Sequence, residues 1–340
     1  MSSHADDAEV ADHADDADRA DRVDRADRAD RADRADDALQ VVVVGDIMVD
    51  VIVRLGGPLA IASDTPSAIT VHPGGAAANQ AVWLARGGVP TAMVAAIGSD
   101  PLGDAAIREL AAAGVSPWVV LVDGAPTGVV VALVDNSGQR SMLTDRGANL
   151  ALTPGAVESA LSGLEGRVHL HLSGYVLYDA RSRAAGRHAL EIARDRGYSV
   201  SIDACSAGPL AEVGADLFLG WASGADWLFL NREELAVLTG ATDVEAGALS
   251  LATGVREVVL TLGADGVIVA RLGEPAVRVR ALDAAVADTT GAGDALSGTY
   301  LARRLLGEGI DAGLSAALHA SAAVVASPGA RSFSAGYSRE

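Results

Sequence analysis

The chain has 340 residues, of which 50% are hydrophobic and 21% are charged, a composition typical of a globular protein. All 26 positively charged residues are arginine, which excludes a P-loop ending in Gly-Lys-Ser/Thr, a protein-kinase strand lysine and a Schiff-base lysine. A formal net charge of -19 argues against a nucleic-acid partner, and no apolar run approaches the roughly 20 residues that span a membrane. Cys205 is the only cysteine, so an internal disulfide cannot form and a reducing cytoplasm is the expected compartment.

The first 38 residues differ from the rest of the chain in composition. They consist almost entirely of Ala, Asp and Arg, with an Asp-Arg-Ala repeat over residues 18–36. No large apolar side chain in that repeat offsets an ordering entropy of about 1 kcal/mol or more per residue. We therefore predict that residues 1–38 form a disordered, dispensable tail and that the folded domain covers residues 39–335.

The folded domain opens with a strand. Four consecutive valines in residues 39–45 favour the extended conformation and leave no polar face, as in a fully buried strand. Further strand-like runs alternate with Ala-rich helical stretches. The strand-like runs lie at residues 91–97, 168–172, 199–203, 227–230 and 257–262. This alternation predicts an α/β domain with a mostly parallel sheet.

A second group of short strand candidates has few helices between its members. They lie at residues 49–55, 68–72, 118–122, 128–134 and 140–144. We interpret them as a small β lid over one edge of the sheet, drawn from about residues 49–72 and 116–144. Residues 294–326 are expected to form two Ala-rich helices.

The strongest chemical signal is DTTGAGDALSGTYL, residues 288–301. Small residues at Gly291, Ala292 and Gly293 leave backbone N–H groups bare, and at a helix start these amides and the helix dipole form a site for phosphate or developing negative charge. A carboxylate would repel that phosphate, so Asp294 suits a proton acceptor for an attacking nucleophile, with an ordinary helix-start Asp as the alternative. A dinucleotide fingerprint is disfavoured because its sixth position falls on Leu296 and no strand follows the helix.

A second signal combines two segments near the amino terminus of the domain. Gly74 and Gly75 lead into a small-residue helix that carries Asn79, and glycines there permit close approach of a ligand to the backbone. Asp46 and Asp50 follow the first strand, where ligands of open α/β sheets bind. Carboxylates and an amide with both donor and acceptor groups suit sugar hydroxyls, whereas a tightly packed loop and helix is the alternative.

These segments together resemble the ribokinase-like (PfkB) carbohydrate kinases, through Gly-Gly-x-x-x-Asn and Asp-Thr-x-Gly-Ala-Gly-Asp. The resemblance spans about residues 39–335 and implies a Rossmann-like three-layer sandwich with a mostly parallel central sheet and a small β lid. It implies that Asp294 is the general base and that the amides of Gly291, Ala292 and Gly293 form an anion hole for the γ-phosphoryl group of ATP. Mg²⁺ and backbone amides can neutralise phosphates without lysine.

Further residues match the family pattern. Asn231 and Glu234 resemble its Asn-x-x-Glu element, which implies that Glu234 helps to hold Mg²⁺, mostly through water. The nucleotide-binding turn is matched by Thr261, Gly263 and Gly266.

Two more matches concern a cation and the substrate. Asp288 and Thr290 match part of a monovalent cation site, so the resemblance adds K⁺ as a candidate activator. Arg146 resembles an arginine position of ketodeoxygluconate kinases and would pair with a substrate carboxylate. The identity of the sugar stays open.

The expected function is ATP-dependent phosphorylation of a hydroxyl of a sugar or sugar acid. A nucleoside kinase of the same family is the first alternative, disfavoured because aromatic residues form 4% of the chain and none lies in residues 73–81. A non-catalytic sugar sensor is the second, disfavoured by the retained Asp294. We expect sugar and ATP as partners, neither nucleic acid nor membrane, and a homodimer through the lid because residues 128–134 would otherwise leave an exposed strand edge.

Overall fold

The computed structural model describes residues 39–135, 140–327 and 329–331. The predicted tail, residues 1–38, lies outside the described residues. Residues 40–162 belong to one compact unit together with the described residues from 168 onward. Leu39 and residues 163–167 belong to a second, small unit, which contains a bend at residues 166 and 167.

The secondary structure of the described residues alternates between strands and helices. In chain order, the strands are β1 (Gln40–Val44), β2 (Met48–Leu55), β3 (Ser67–Gly74), β4 (Thr91–Gly98), β5 (Val115–Val122), β6 (Gly128–Val134), β7 (Arg140–Asp145), β8 (Val168–Ser173), β9 (Ser199–Asp203), β10 (Trp227–Asn231), β11 (Glu257–Thr261), β12 (Val267–Ala270) and β13 (Val277–Val279). The α-helices are α1 (Ala76–Arg86), α2 (Pro101–Ala112), α3 (Pro154–Leu161), α4 (Tyr175–Tyr178), α5 (Arg183–Asp195), α6 (Ala207–Val213), α7 (Ala215–Ala222), α8 (Arg232–Thr239), α9 (Val244–Leu251), α10 (Ala292–Leu305) and α11 (Ile310–Val325).

The central sheet has the order β13-β12-β11-β10-β9-β8-β1-β4-β5. Pairing is parallel from β11 through β8 and β1 to β5, and antiparallel where β12 joins β11 and β13 joins β12. The four valines of β1 are fully buried although successive side chains point to opposite faces, so both faces of the sheet are covered at its centre. The predicted mostly parallel α/β architecture is confirmed.

A separate sheet of the order β3-β2-β6-β7 provides the predicted lid. The assignment of residues 118–122 to that lid is wrong, because β5 pairs in parallel with β4 from Thr91↔Val115 to Gly98↔Val122 and forms an edge of the central sheet. An edge strand is half exposed, so its sequence resembles that of a lid strand. Residues 128–134 leave no free strand edge, since β6 pairs with β2 on one side and β7 on the other, so the strand-edge argument for a dimer through the lid does not hold.

The fold brings the ends of several elements to one place. The parallel strands β1, β8, β9, β10 and β11 end at the same edge of the sheet. Strand β1 pairs with β4 on one side and β8 on the other, which makes it a switch point, where α/β sheets bind ligands. Helices α1 and α10 pack closely at Gly298, where a Cβ atom would lie 2.8 Å from the Gln80 carbonyl oxygen. None of the helices in the described ranges combines the length and apolar character needed to cross a membrane.

Candidate active site

A cavity of about 730 Å³ lies at the carboxyl edge of the central sheet, with lid residues such as Met48 and Val130 in its wall. Most of the predicted site residues line it: Asp46, Asp50, Gly75, Asn79, Arg146, Asn231, Glu234, Thr261, Thr290, Gly291, Gly293 and Asp294. The predicted residues outside its wall are Gly74, Gly263, Gly266, Asp288 and Ala292. The two motifs, which lie far apart in sequence, therefore share one cavity.

Asp294 lies in the first turn of α10 and is partly accessible from the cavity. Its Oδ2 atom accepts a hydrogen bond of 2.7 Å from Nδ2 of Asn79 on α1. Burial of the carboxyl group raises the pKa of Asp294 to about 8; the Asn79 hydrogen bond opposes this shift, and the carboxylates of Asp203, Asp46 and Asp50 add to it. A carboxyl group with a pKa near neutrality is suited to proton transfer.

Two of the three residues whose amides are predicted to bind phosphate, at the start of α10, line the cavity. Gly291 caps the helix in the left-handed conformation, with φ 75°, and no side chain of the described residues caps that end. The first N–H groups of a helix have no intrahelical acceptor and carry the positive end of its dipole. Gly291 and Gly293 line the cavity, whereas the N–H of Ala292 donates to the Thr289 carbonyl oxygen at 3.3 Å.

Asp288 holds the turn that precedes α10. Its Oδ1 atom accepts from the Thr290 N–H at 2.9 Å, and its Oδ2 atom accepts from the Gly329 N–H at 3.4 Å. The Asp288 N–H donates in turn to the Val325 carbonyl oxygen at 3.1 Å. Asp288 therefore joins the glycine turn to the segment that follows α11, and its role with Thr290 in binding a monovalent cation stays a prediction.

The glycine pair before α1 makes room for two of the protein's own acidic residues. A Cβ atom on Gly74 would collide with the Asp50 carboxylate. Gly75 has a φ of 91°, and a Cβ atom there would lie 2.6 Å from the Asp46 carbonyl oxygen. The close approach that the sequence suggested for a ligand is thus used, in the structure, by Asp46 and Asp50.

The two acidic residues are held differently. Asp46 is buried, and its oxygens accept from the Ala76 N–H at 3.3 Å and from the Ser173 hydroxyl at 3.1 Å, which fixes the start of α1. Asp50 lies on lid strand β2, and burial raises its pKa to about 6 against the opposing charge of Arg331. Asp46 therefore anchors the site, and Asp50 is the acidic group presented by the lid.

Arg146 follows β7 and lines the cavity. Its guanidinium carbon lies 4.5 Å from the centre of the Tyr175 ring, and its buried Nε atom has no hydrogen-bond partner among the described residues. Asn149 holds this part of the chain in place, because its side chain exchanges hydrogen bonds of 2.9 Å with both the N–H and the carbonyl group of Ile47. A cationic group with spare donor capacity is thus positioned beside the Asp46 loop.

The other end of the cavity is formed by the starts of α8 and of the β11–β12 turn. Asn231 and Glu234 form a capping box: Oδ1 of Asn231 accepts from the Glu234 N–H at 2.9 Å, and Oε2 of Glu234 accepts from the Asn231 N–H at 2.7 Å. Burial, with a contribution from Asp203, raises the pKa of Glu234 to about 8. Thr261 lines the cavity, and Gly263 with its neighbours forms a short 3-10 turn behind it.

Asp203, at the end of β9, is a cavity residue that the motifs did not identify. Its Oδ2 atom accepts from Nε2 of Gln80 at 2.5 Å, and Oε1 of Gln80 lies 2.8 Å from Nε2 of His171. Because Oε1 can only accept, His171 donates from Nε2, and burial lowers its pKa to about 3, so the ring is neutral. The sequence feature that could have identified Asp203 is its position at the end of a buried strand.

His169 continues this buried chain. Ser201 lies 2.7 Å from Nδ1 of His171 and 2.7 Å from Nε2 of His169. Nδ1 of His169 lies 2.8 Å from the Ser199 hydroxyl. Hydrogen bonds therefore extend from the cavity carboxylate of Asp203 along strands β8 and β9. Both histidines belong to this buried chain and serve the structure of the sheet.

Arg331 is the second functional candidate that sequence reasoning missed. Its Nε atom donates to Oδ1 of Asn79 at 2.8 Å, although 252 residues separate the two in sequence. Its Nη2 atom donates to the Gly74 carbonyl oxygen at 2.9 Å, and its Nη1 atom forms an ion pair with Glu109 on α2. No local pattern marks an arginine whose partners come from three distant elements.

Comparisons with known proteins agree with this geometry. The family model described as pfkB family carbohydrate kinase matches residues 38–335. A ribokinase from Mus musculus is 30% identical over 285 residues, which cover 78% of this chain and 83% of the mouse protein. The solved adenosine kinase from Sinorhizobium meliloti has a TM-score of 0.76 and 26% identity, covering 88% of this chain and 97% of its own. An E. coli protein solved in complex with ATP and Mg²⁺ has the same fold, with a TM-score of 0.73 and 23% identity. The match covers 86% of this chain and 94% of the E. coli chain.

The chain belongs to the pfkB family of carbohydrate kinases. It is a kinase, an ATP-binding transferase of the class that includes ribokinases and adenosine kinases. The family expected from the Gly-Gly-x-x-x-Asn and Asp-Thr-x-Gly-Ala-Gly-Asp segments is confirmed, as is the ribokinase-like fold class.

Proposed function

We propose that this chain transfers the γ-phosphoryl group of ATP to a hydroxyl of a sugar or sugar acid, with Asp294 as the general base. One observation carries the proposal: a carboxyl group with a pKa near 8 and an uncapped helix start, contributed by consecutive residues of α10, face the same cavity. A base for the hydroxyl proton and an anion-binding turn for the phosphoryl charge are two of the groups that phosphoryl transfer to an alcohol uses.

The reaction uses these groups in one step. The acceptor hydroxyl gives its proton to Asp294 while its oxygen attacks the γ-phosphorus, and the bond from that phosphorus to the bridging oxygen breaks to release ADP. Asn79 holds Oδ2 of Asp294 through the 2.7 Å hydrogen bond, which directs the carboxylate toward the hydroxyl. The N–H groups of Gly291 and Gly293, at the positive end of α10, stabilise the charge on the transferring group.

The sugar end of the cavity lies at the lid. Asp50 and Asn79 both line the cavity, and together they offer acceptors and a donor for sugar hydroxyls. Gly74 leaves room for the Asp50 carboxylate, and Gly75 leaves room for the Asp46 backbone. Arg146, with its unpartnered Nε atom, supports a substrate that carries a carboxylate, because a buried guanidinium donor is best satisfied by an anionic acceptor.

The nucleotide end lies at Asn231, Glu234 and Thr261, with the turn of Gly263 and Gly266 behind it. The residues there fit Mg²⁺, a hard cation that prefers oxygen ligands and keeps several waters. Both carboxylate oxygens of Glu234 accept hydrogen bonds from Asn231, so Glu234 would hold the ion through water. When bound, Mg²⁺ neutralises phosphate charge. K⁺ beside Asp288 and Thr290 stays a prediction.

A nucleoside kinase is the second candidate. It is favoured by the similarity to adenosine kinase and by two tyrosines, Tyr175 and Tyr178, that line the cavity. Arg146 already lies over the Tyr175 ring, which removes one aromatic face from base stacking. We therefore rank the sugar or sugar acid first.

An ADP-release assay over a panel of sugars, sugar acids and nucleosides tests the proposal, with Asp294→Asn as the matched control for contaminating kinases. We expect ADP release with a sugar or sugar acid that the control lacks. Turnover of nucleosides alone would select the second candidate. Binding of a sugar without ADP release from any compound would instead indicate a sensor.

We also infer a homodimer through the lid and a cytoplasmic location. Large apolar side chains are exposed on the edge strands of the lid sheet, including Ile69 at 62% and Val71 at 61% on β3, with Met142 and Leu143 on β7. Sedimentation at micromolar concentration should show a dimer, and a monomer alone would contradict this inference. The cytoplasm is proposed on the free thiol of Cys205.

A further inference from the structure

Arg331 is a buried cation behind the sugar end of the cavity, with 7% of its surface exposed. Its three donor directions reach three elements: Oδ1 of Asn79 on α1 at 2.8 Å, the carbonyl oxygen of Gly74 at the end of β3 at 2.9 Å, and Glu109 on α2. A guanidinium group donates in a fixed planar fork and has no acceptor. Arg331 therefore holds these three elements in a fixed relative arrangement.

The contact with Asn79 determines which end of its amide faces the base. Because Arg331 can only donate, the oxygen of the Asn79 amide must face it, and the NH₂ group then faces Oδ2 of Asp294 at 2.7 Å. If the amide rotated, its oxygen would face the Asp294 carboxylate, and two acceptors would be left without a shared proton.

We propose that Arg331 is a positioning residue of the phosphoryl transfer reaction, which acts through Asn79 to orient Asp294 and to favour its ionised form. The proposal rests on the proposed role of Asp294 as the base. Arg331 does not line the cavity, so it acts on the reaction through its contacts with Asn79 and through its charge.

The charged groups around Asp294 determine the direction in which the loss of Arg331 would shift the pKa of Asp294. Asp203 from β9, Asp46 after β1 and Asp50 from β2 all raise the pKa of Asp294, beyond the larger effect of burial. Arg331 interacts with the charges of both Asp50 and Asp294, and it lowers the pKa of Asp50. Without Arg331, acidic groups would dominate the surroundings of the base, and its proton would be lost only at higher pH.

The variant Arg331→Gln removes the charge but retains an amide donor. The hydrogen-bonded donor of Asn79 can be observed directly in the ligand-free protein, by following its side-chain ¹⁵N resonance against pH. In Arg331→Gln we expect the midpoint of this titration, which reports the pKa of Asp294, to rise by about one pH unit relative to the wild type. One unit is the lower end of the effect of a nearby opposite charge. The titration should be absent in Asp294→Asn, which assigns it to that carboxyl group.

Activity gives a second readout once a substrate from the panel is known. Asp294 must be ionised to accept a proton, so the rise of kcat with pH should move upward with the midpoint in Arg331→Gln. At neutral pH we expect kcat to fall about 10-fold or more through misplacement of the base. The KM for MgATP should change by less than about threefold, because the partners of Arg331 among the described residues, Asn79, Gly74 and Glu109, all lie away from the nucleotide end of the cavity.

Two further variants separate positioning from general stabilisation. Arg331→Lys keeps the charge but loses the fork, so its midpoint should lie between those of the wild type and Arg331→Gln. Arg304 is the matched control: it lies at the far end of α10, is largely buried and pairs with Glu257. Arg304→Gln should lower Tm without moving the Asn79 midpoint.

An unchanged midpoint and an unchanged pH profile in Arg331→Gln would overturn the proposal and leave Arg331 a purely structural role. This failure is distinguishable from a failure of the proposed function. If Asp294→Asn kept wild-type turnover, Asp294 would not be the base, and the proposed function itself would be contradicted. If Asp294→Asn were inactive while Arg331→Gln titrated like the wild type, the Arg331 proposal alone would fail.

Discussion

Asn79 and Asp294 are joined by a hydrogen bond of 2.7 Å between Nδ2 and Oδ2, although 215 residues separate them in sequence. The bond connects α1, which follows Gly75, with α10, which follows Gly291. The next residue of α1, Gln80, forms the same kind of contact with Asp203 at 2.5 Å. Two adjacent amides therefore hold two acidic groups of the cavity.

The contact between Gly74 and Asp50 leads to a prediction about the substrate. Gly74→Ala places a Cβ atom against the Asp50 carboxylate and forces it to move. We expect the KM for the sugar to rise about 10-fold or more, as for the loss of a hydrogen bond to a charged group, with the KM for ATP nearly unchanged. Steady-state kinetics with each substrate varied separately measures this.

Gly57→Ala is the matched control, since nothing lies within 4 Å of a Cβ atom there. It should behave as the wild type. Equal sugar KM values for Gly74→Ala and Gly57→Ala would remove Asp50 from the substrate site.

Arg146 leads to a prediction about substrate charge. Its unpartnered Nε atom would donate to a substrate carboxylate, so Arg146→Gln should weaken a sugar acid about 10- to 100-fold, the range for a charge-assisted hydrogen bond. A neutral sugar of the same size serves as the internal control and should lose much less. The ratio of kcat/KM values for the two compounds measures the difference. Equal losses for both would contradict a carboxylate at this position.

The raised pKa of Asp294 predicts a pH dependence of stability. The pKa rises from 3.8 to about 8 in the folded state, so between these values the unfolded chain is ionised while the folded carboxyl is protonated. The contribution of this group to stability is therefore complete below about pH 4 and is lost as pH rises toward 8. Asp294→Asn does not titrate, so its Tm should gain on that of the wild type as pH rises from 5 to 8, and then level off.

Asp179→Asn is the control for this measurement. The hydrogen bonds from Arg181 lower the pKa of Asp179 to about 2, so its folded and unfolded values both lie below the measured range. The difference in Tm between Asp179→Asn and the wild type should be constant from pH 5 to 9. A constant difference for Asp294→Asn as well would show that Asp294 is ionised in the folded protein.

The central sheet could be predicted from the sequence because inner strands such as β1 and β4 are buried on both faces and appear as nearly continuous apolar runs. Strand β5 was placed in the wrong sheet because it is half exposed, like a lid strand, and only its pairing with β4 distinguishes the two. Local patterns report burial well and strand partners poorly.

Residues of the cavity wall could be identified from the sequence where a local motif marks the start of a helix, as for Asn79, Glu234 and Asp294. Arg331 could not be predicted, since its position is meaningful only through contacts with Asn79, Gly74 and Glu109 that the folded chain brings together. The role of Gly74 was also read differently from the sequence, because the group that approaches it is the side chain of Asp50.

The most direct test of the account is kcat for Asp294→Asn, measured with MgATP and the sugar or sugar acid that the panel identifies. The amide matches the carboxylate in shape but accepts no proton, so we predict a kcat lower by about 10² to 10⁴, with the affinity for ATP retained. Thermal unfolding should confirm that the variant is folded. Wild-type kcat in a preparation free of contaminating kinase would contradict the role of Asp294 as the base.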